Sequence, residues 1–339
     1  MDNKKYKQVY NVGKIADANS PPMSRLVMRP EILALHALCC LYKKKGLTEP
    51  AIQRHKLIST FQTAFGEKYG FTREDYLAEL EAYRKWVDAN IIYLQETERE
   101  LDYAFRAKAA GGDENERTRM KQFQTMLHVS SGESQDWVLK AYFESNHGPL
   151  TYDALRKMEK DWHGKDSLDS KSLMYGTISR YWFWKLDYLL WEMHELDKNN
   201  KLFAGLDKNE HDAIHEYRFR DNRSIEHLYP QAQGNATSPW ESRENPAAAM
   251  HCFGNVAMMS VEGNSSQQDD PFQVKFARVR VWLERGRLES IKMLLMFHLA
   301  DKMADGWTVK ADGWTVEKAL THETAMISLL QEDLKKFEP

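Results

Sequence analysis

The stretch SLMYGTISRYWFWKLDYLLWEMHEL (172–196) is the most apolar helical segment of this 339-residue chain. Aromatic side chains occur around most of its predicted circumference: Tyr181, Trp182, Phe183, Trp184, Tyr188 and Trp191. A helix that is apolar on nearly all sides is buried within its protein. We therefore predict a mainly α fold with this segment at its centre, and we read the aromatic run as core.

Helical patterns dominate the chain before this segment. Pro30 is placed to open a helix through EILALHALCCLYKKKG, which Gly46 ends. Thr72 is a good N-cap for a helix that we expect to run through YLAELEAYRKWVDANIIYLQ, and Thr151 begins another through TYDALRKMEKDW. These patterns predict a helical region over residues 1–205.

The character of the sequence changes after residue 205. Residues 220–270 are short on helical periodicity and rich in Asn, Gly, Ser, Gln and Pro. They contain two short apolar stretches, SIEHLYP and CFGNVAMMS, that read as strands, and helix returns near Pro271. We predict a second domain over residues 206–339, and we look for function in its polar segment because sites concentrate on irregular segments held by a rigid scaffold.

Bulk composition excludes several classes of protein. The cysteines Cys39, Cys40 and Cys252 form no CxxC pair, which argues against a disulfide framework or a cysteine zinc site. The first residues show no signal peptide, and no apolar run is long enough to span a bilayer, so we expect a cytoplasmic protein without a membrane partner. The formal charge of -3 neither supports nor excludes a nucleic-acid partner.

The polar segment and the helix after it offer the groups that phosphodiester hydrolysis needs. A neutral His activates water near pH 7, and His227 is the candidate base. A hard divalent cation prefers carboxylate and amide oxygens, which Glu226 and Asn264 could supply. Lys275 and Arg278 lie three residues apart on the predicted helix, so they share a face and could hold DNA phosphates.

At this point the sequence resembles a known family. The order SIEHLYPQ, FGNVAMMS, a further Asn and a downstream PFQVK is similar to the C-terminal nuclease half of GmrSD-type restriction proteins. These are modification-dependent (type IV) endonucleases of bacterial anti-phage defence, with a site of the HNH superfamily. The resemblance extends to ISRYWFWKLDYLLWE and WTVEKALTHETAMISLLQ, so it covers roughly residues 170–335.

The resemblance implies a role for each residue of the pattern. His227 would be the water-activating base, and Asn255 would brace the loop that orients it. Asn264 would complete a metal site at the start of the helix of a ββα-metal unit, and Glu226 occupies the place of an acidic metal ligand. Lys275 would contact phosphate or support the site. Oxygen ligands suit Mg²⁺ or Mn²⁺ better than Zn²⁺, so we expect one of these as cofactor and DNA as substrate.

Two departures from the family pattern keep a rival hypothesis open. The chain has neither an Asp-Gly-Gln-Gln-Arg motif nor a Walker A loop, so we expect a partner NTPase subunit or a further N-terminal domain. Asn264 also stands where HNH nucleases have their final His. The rival is a catalytically degenerate helical subunit that binds DNA or serves as an adaptor in a defence complex. An RNA target is a third possibility, with no stacking motif in its favour.

Three further histidines carry weaker signals. His211 and His215 are four residues apart on a predicted helix, a spacing that can bind metal, but no third ligand follows at a matching spacing, so we interpret them as surface residues. His251 lies near the predicted site, and nothing in the sequence distinguishes it from an ordinary loop residue.

Overall fold

The computed structural model of the chain is mainly helical and divides into two compact units, Met1–Glu159 and Lys160–Pro339. It describes residues 24–96, 101–105, 113–132, 134–164, 166–220, 222–231, 240, 249–267, 270–304, 308–310 and 312–336. None of the helices in these ranges combines the length and the apolar character that a bilayer crossing requires.

Unit 1, Met1–Glu159, combines helices with one small sheet. Its elements are β1 (Ser24–Leu26), α1 (Pro30–Lys44), a 3-10 turn (Arg54–Lys56), α2 (Leu57–Ala64), α3 (Arg73–Asn90), β2 (Ile92–Glu96), β3 (Leu101–Phe105), α4 (Glu114–Ser130) and α5 (Asp136–Glu144). Helix α6 (Tyr152–His163) carries the chain across the boundary between the units.

Local signals placed the first helices of unit 1 correctly. Helix α1 begins at Pro30, as predicted, because proline tolerates the first helical position. The Thr72 hydroxyl accepts a hydrogen bond from the Asp75 amide at 3.0 Å and caps α3. Side chains of α1, α2 and α3, with one from the segment before α3, pack into one apolar cluster: Ala37, Leu38, Leu41, Tyr42, Ala64, Phe71 and Tyr76.

The sheet of unit 1 corrects the prediction of an unbroken helix through IIYLQ and of a wholly helical N-terminal region. Strands β1, β2 and β3 are antiparallel, and Leu94 of β2 lies opposite Arg25 on one side and Tyr103 on the other. The helix ends at Asn90, whose side chain bonds the Trp86 carbonyl at 2.9 Å and so competes with the backbone. The β-branched residues that follow favour a strand over a further helical turn.

Unit 2, Lys160–Pro339, contains the segment expected to carry chemistry. Its elements are α7 (Tyr181–Leu196), a 3-10 turn (Lys201–Phe203), α8 (Lys208–His215), β4 (Ser224–His227), a 3-10 turn (Phe253–Asn255), β5 (Val256–Met259), α9 (Val261–Gln267), α10 (Phe272–Glu284), α11 (Ile291–Leu299) and α12 (Val316–Lys335). The two predicted strands, β4 and β5, are confirmed as an antiparallel pair.

Helix α7 is buried, as the sequence predicts, and it organises unit 2. Its Asp187 carboxylate accepts hydrogen bonds from the Ser290 hydroxyl at 3.0 Å and the Lys292 amide at 2.8 Å, at the start of α11. Its Lys185 forms a buried ion pair with Asp333 of α12 at 3.0 Å. The helix begins at Tyr181 rather than near residue 172, because a turn with Gly176 at φ +93° precedes it.

The boundary between the two compact units falls between Glu159 and Lys160 in the chain, whereas the sequence led us to divide the chain after residue 205. That predicted boundary falls inside unit 2, beyond helix α7. The polar anchors of α7 reach α11 and α12, which explains why this helix belongs with the strands and the C-terminal helices. The aromatic helix is therefore part of the scaffold of the candidate site.

Candidate active site

The candidate site is built on the paired strands β4 and β5 and the helix that follows them. His227 ends β4 opposite Val256 of β5, and Glu226 lies opposite Ala257. Helix α9 starts two residues after β5 and contacts β4. Because side chains of successive strand residues point to opposite faces, Glu226 and His227 serve different sides of the pair.

Three nitrogen atoms converge at the imidazole of His227. Its Nε2 lies 3.0 Å from Nδ1 of His251 and 3.2 Å from Nε2 of Gln231. The Gln231 amide nitrogen also lies 3.2 Å from His251 Nδ1, which closes a triangle. Both polar contacts of the His227 side chain are made by Nε2, and Nδ1 has none with the residues that the structure describes. One ring nitrogen is thus held by neighbouring side chains, and the other is held by none of the described residues.

Tyr175 holds both imidazole rings in place. Its ring meets His227 edge-on, with centroids 4.6 Å apart and planes at 70°, and it stacks on His251 at 5.4 Å and 23°. Its backbone N–H donates to the His251 carbonyl at 2.9 Å. Tyr175 lies in the turn before α7, so the scaffold helix and the site are directly linked.

Burial keeps the His227 imidazole neutral. Its side chain is largely enclosed, and desolvation, His251 and the charge of Lys275 together lower its pKa to about 3. Burial also lowers the pKa of the more exposed His251. At neutral pH both rings are therefore uncharged, so His227 is in the form that accepts a proton, and a pKa this low makes it a weak base.

The other face of β4 holds a buried ion pair. Glu226 pairs with the ammonium group of Lys275, which is 1% exposed and also donates to the His227 carbonyl at 2.8 Å. Of the two roles expected for Lys275, phosphate contact and support, this geometry favours support. This ion pair holds the Glu226 carboxylate on the face of β4 opposite the His227 ring, so the structure does not bring this predicted metal ligand to the imidazole.

Asn255 lies in the buried turn before β5 and is fully enclosed. Its Oδ1 accepts from the Tyr229 amide at 2.9 Å and from the Trp314 indole at 3.1 Å. Its Nδ2 donates to the Met250 carbonyl at 2.8 Å and to the Tyr229 carbonyl at 3.3 Å. These bonds tie the segment after His227 to the segment that carries His251, which is the arrangement that a bracing role requires.

The turn that carries Asn255 is held in place by contacts with α11 and α12. Lys292 of α11 donates to the Phe253 carbonyl at 2.7 Å and the Val256 carbonyl at 2.6 Å. Gly254 presses against α12 so closely that a Cβ there would lie 1.7 Å from the Ala319 carbonyl oxygen. Burial lowers the pKa of the Lys292 ammonium to about 7. The position of the turn is therefore fixed by the two hydrogen bonds of the buried Lys292 amine and by the absence of a side chain at Gly254.

Among the described residues, the hydrogen-bond and ring contacts that hold the two imidazoles do not include the remaining predicted site residues, Asn264 and Arg278. Asn264 is partly exposed on α9, the helix that contacts β4. Arg278 is on α10 with Lys275, but it is a partly exposed residue paired with Asp270, whereas Lys275 is buried. Of the two cations expected at phosphates, only Arg278 has an accessible side chain.

The described residues contain no group of three His, Cys, Asp or Glu side chains that could hold a metal ion. His211 and His215 each contact a residue of α7, which the spacing of the two histidines did not predict. His194 Nε2 lies 2.9 Å from His211 Nδ1, and Glu195 bonds His215 Nδ1 at 2.9 Å.

Sequence reasoning missed three members of the imidazole cluster. Gln231 lay within the recognised Pro-Gln context, and that context was its only signal. His251 precedes Asn255 by four residues and was interpreted as a plain loop residue, while Tyr175 was read as part of a buried helix. Only the fold brings these residues to His227.

Comparison with known families places most of unit 2 in one of them. Residues 161–329 match the family model described as GmrSD restriction endonucleases, C-terminal domain. No curated protein and no solved structure matches the chain. The matched segment begins two residues after Glu159, where the contacts divide the chain, and it includes α7.

Proposed function

Since residues 161–329 belong to the C-terminal domain family of the GmrSD restriction endonucleases, we propose that this chain is an endonuclease that hydrolyses phosphodiester bonds of DNA with His227 as its base. The observation that carries the proposal is the neutral imidazole of His227, which is held at Nε2 and has no hydrogen-bond partner at Nδ1 among the described residues. The family further suggests restriction of foreign DNA in the cytoplasm as the biological role.

The proposed reaction begins with a water molecule beside His227. Nδ1 takes a proton from the water, and the resulting hydroxide attacks the phosphorus of the scissile phosphodiester. The bond from phosphorus to the 3′ oxygen breaks, and that oxygen gains a proton from solvent, which leaves a 5′ phosphate. A positioned general base typically contributes 10²–10⁴-fold to such a rate, about 3–5 kcal/mol of barrier.

The metal part of the proposal is narrower than the sequence suggested. We keep a divalent cation, Mg²⁺ or Mn²⁺, because it would stabilise charge on the phosphate and the leaving oxygen. Glu226 does not fit as its ligand, since Lys275 neutralises the carboxylate on the opposite face of β4. The amide oxygen of Asn264 is the better candidate. Water and substrate phosphate would supply the other ligands, as they often do for Mg²⁺. No step above depends on that cation.

Plasmid nicking tests the proposal directly. The full chain is incubated with supercoiled DNA and Mg²⁺ or Mn²⁺, beside His227→Ala and the matched control His211→Ala, which alters a histidine outside the cluster. We expect the wild type and the control to nick DNA and His227→Ala to lose about 10²–10⁴-fold in rate. Equal activity of His227→Ala and the wild type would remove the proposed base.

A second function has its own support. Lys275 engages the carboxylate of Glu226, the acidic metal ligand that the sequence suggested, and this pairing favours a chain that binds DNA, or a partner NTPase, without cutting. Such an adaptor would bind DNA in a gel-shift assay and show neither nicking nor thermal stabilisation by Mg²⁺ or Mn²⁺. A cation-dependent rise in melting temperature together with nicking would exclude it, because stabilisation requires binding to the folded state.

A further inference from the structure

We propose that His251 is the positioning residue that fixes the tautomer of His227, by accepting a hydrogen bond from His227 Nε2 at its own Nδ1. The effect on cleavage rests on the proposed function, whereas the tautomer itself can be observed without any reaction. The pair lies in unit 2 at the C-terminal end of β4, and its two nitrogens are 3.0 Å apart.

The distance between the two nitrogens requires a shared proton. Two lone pairs facing each other at 3.0 Å would repel, and both rings are neutral, so one nitrogen of the pair carries a hydrogen that the other accepts. Two arrangements remain. Either His227 donates from Nε2, or His251 donates from Nδ1.

The surroundings of the rings favour His227 as the donor. In that arrangement both rings carry their hydrogen on Nε2, which is the intrinsically preferred tautomer of the imidazole side chain. His227 then presents a lone pair at Nδ1, where the described residues offer no hydrogen-bond acceptor that an N–H would need. The reverse arrangement would place a hydrogen at that position and leave the ring unable to accept a proton from water.

The position of His251 is itself constrained, as a positioning role demands. Tyr175 bonds the His251 carbonyl through its backbone and stacks on the ring, while the edge of the His227 ring meets the same tyrosine. In this arrangement the Gln231 amide N–H donates to His251 Nδ1 at 3.2 Å, while its equally close approach to His227 Nε2 is a contact without a hydrogen bond that closes the cluster on a third side. By accepting at Nδ1, the fixed His251 ring determines that His227 carries its hydrogen on Nε2.

Nitrogen NMR and kinetics on the full chain, with ¹⁵N-labelled histidine, test the proposal. His251→Ala removes the acceptor, and His251→Asn returns an oxygen acceptor near the place of Nδ1 without an ionisable ring. His211→Ala is the matched control, because it removes the partner of a second histidine pair, His194 Nε2 to His211 Nδ1 at 2.9 Å. The two readouts are the ¹⁵N shifts of His227 and the steady-state kcat and KM for an oligonucleotide duplex.

The expected pattern separates positioning from a general effect on folding. In the wild type and in His211→Ala, His227 shows its hydrogen on Nε2. In His251→Ala the shifts move towards a mixture of tautomers and kcat falls about 10–100-fold, within the range of general-base effects, at unchanged KM. His251→Asn restores the Nε2–H signal and brings kcat back to within about fivefold of the wild type.

Three results would overturn the proposal: a wild-type His227 with its hydrogen on Nδ1, an unchanged tautomer in His251→Ala, or a His251→Asn variant whose tautomer matches that of His251→Ala. If His251→Ala fails to fold, the wild-type spectrum and His251→Asn still decide. If the wild-type chain cuts no DNA, the proposed function fails, and the NMR spectra alone judge the role of His251.

Discussion

Replacement of Lys275 by Met should destabilise unit 2 far more than replacement of an exposed cation on the same helix would, because Lys275 is buried. The variant keeps most of the aliphatic stem and removes the ammonium group. Glu226 then keeps a carboxylate whose side chain is 9% exposed, without the cation that compensates it, and the His227 carbonyl loses a donor at 2.8 Å. Removal of one partner from a buried ion pair costs about 3–5 kcal/mol.

A matched control lies one turn further along α10. Arg278 pairs with Asp270, but these side chains are 36% and 32% exposed. An ion pair in such contact with water contributes about 0–1 kcal/mol. Arg278→Met therefore tests the same helix and a similar loss of charge without the burial, and we expect it to change the free energy of unfolding by no more than that amount.

Hydrogen exchange read by mass spectrometry is the suitable assay, because it reports on β4 and β5 separately from unit 1. A loss of 3–5 kcal/mol should accelerate exchange of the β4 and β5 amides by about 10²–10⁴-fold where global opening governs it. The double variant Glu226→Met/Lys275→Met should recover most of the loss, since both charges are then gone. Equal exchange rates in Lys275→Met and Arg278→Met would show that the pair is not buried.

Three further predictions concern the turn, the imidazole and the surface. Gly254→Ala should lower the free energy of unfolding by at least about 3 kcal/mol in urea titrations, because the new Cβ meets the Ala319 carbonyl oxygen, whereas Gly286→Ala, at φ +69° with no atom within 4 Å, should cost about 1–2 kcal/mol. Cleavage per folded molecule should stay within about twofold from pH 7 to pH 5, since the His227 pKa is lowered to about 3. The free energy of unfolding should decrease as the pH falls below about 6.5, because His227 then binds a proton in the unfolded state but not yet in the folded state. Arg278→Ala should reduce the slope of log binding constant against log salt by about one in DNA titrations.

Local chemistry explains which parts of the fold could be predicted from the sequence. Pro30 and the hydroxyl of Thr72 act on their own helix starts, so their effect is visible within a few residues. The two strands around His227 and Asn255 were predicted for the same reason, from short apolar runs between turn-forming residues. The three-stranded sheet of unit 1 was missed because Ile92 follows a strong helical pattern without a Gly or Pro to mark the change.

The candidate site was only partly predictable, because its geometry depends on contacts between distant segments. His251 lies 24 residues from His227 in the chain, and no periodicity connects them. Burial of Lys275 was equally hidden, since a lysine in a helix with several other basic residues is usually solvated, and only the position of Glu226 on the adjacent strand makes its enclosure possible. Sequence reasoning therefore misjudged which of the candidate residues face water.

The buried ion pair and the imidazole cluster depend on each other across one strand. Lys275 holds the backbone of His227 through the carbonyl, and its charge contributes to lowering the His227 pKa. Glu226 balances that charge. Its carboxylate therefore stabilises the buried ammonium of Lys275 on the face of β4 opposite the His227 ring, instead of approaching the imidazole. A divalent cation bound by Glu226 would have to displace Lys275 and leave a buried ammonium unpaired, at a cost of several kcal/mol. Paired charges therefore support β4 on one face, and the neutral histidines lie on the other face, where the proposed function would place the substrate.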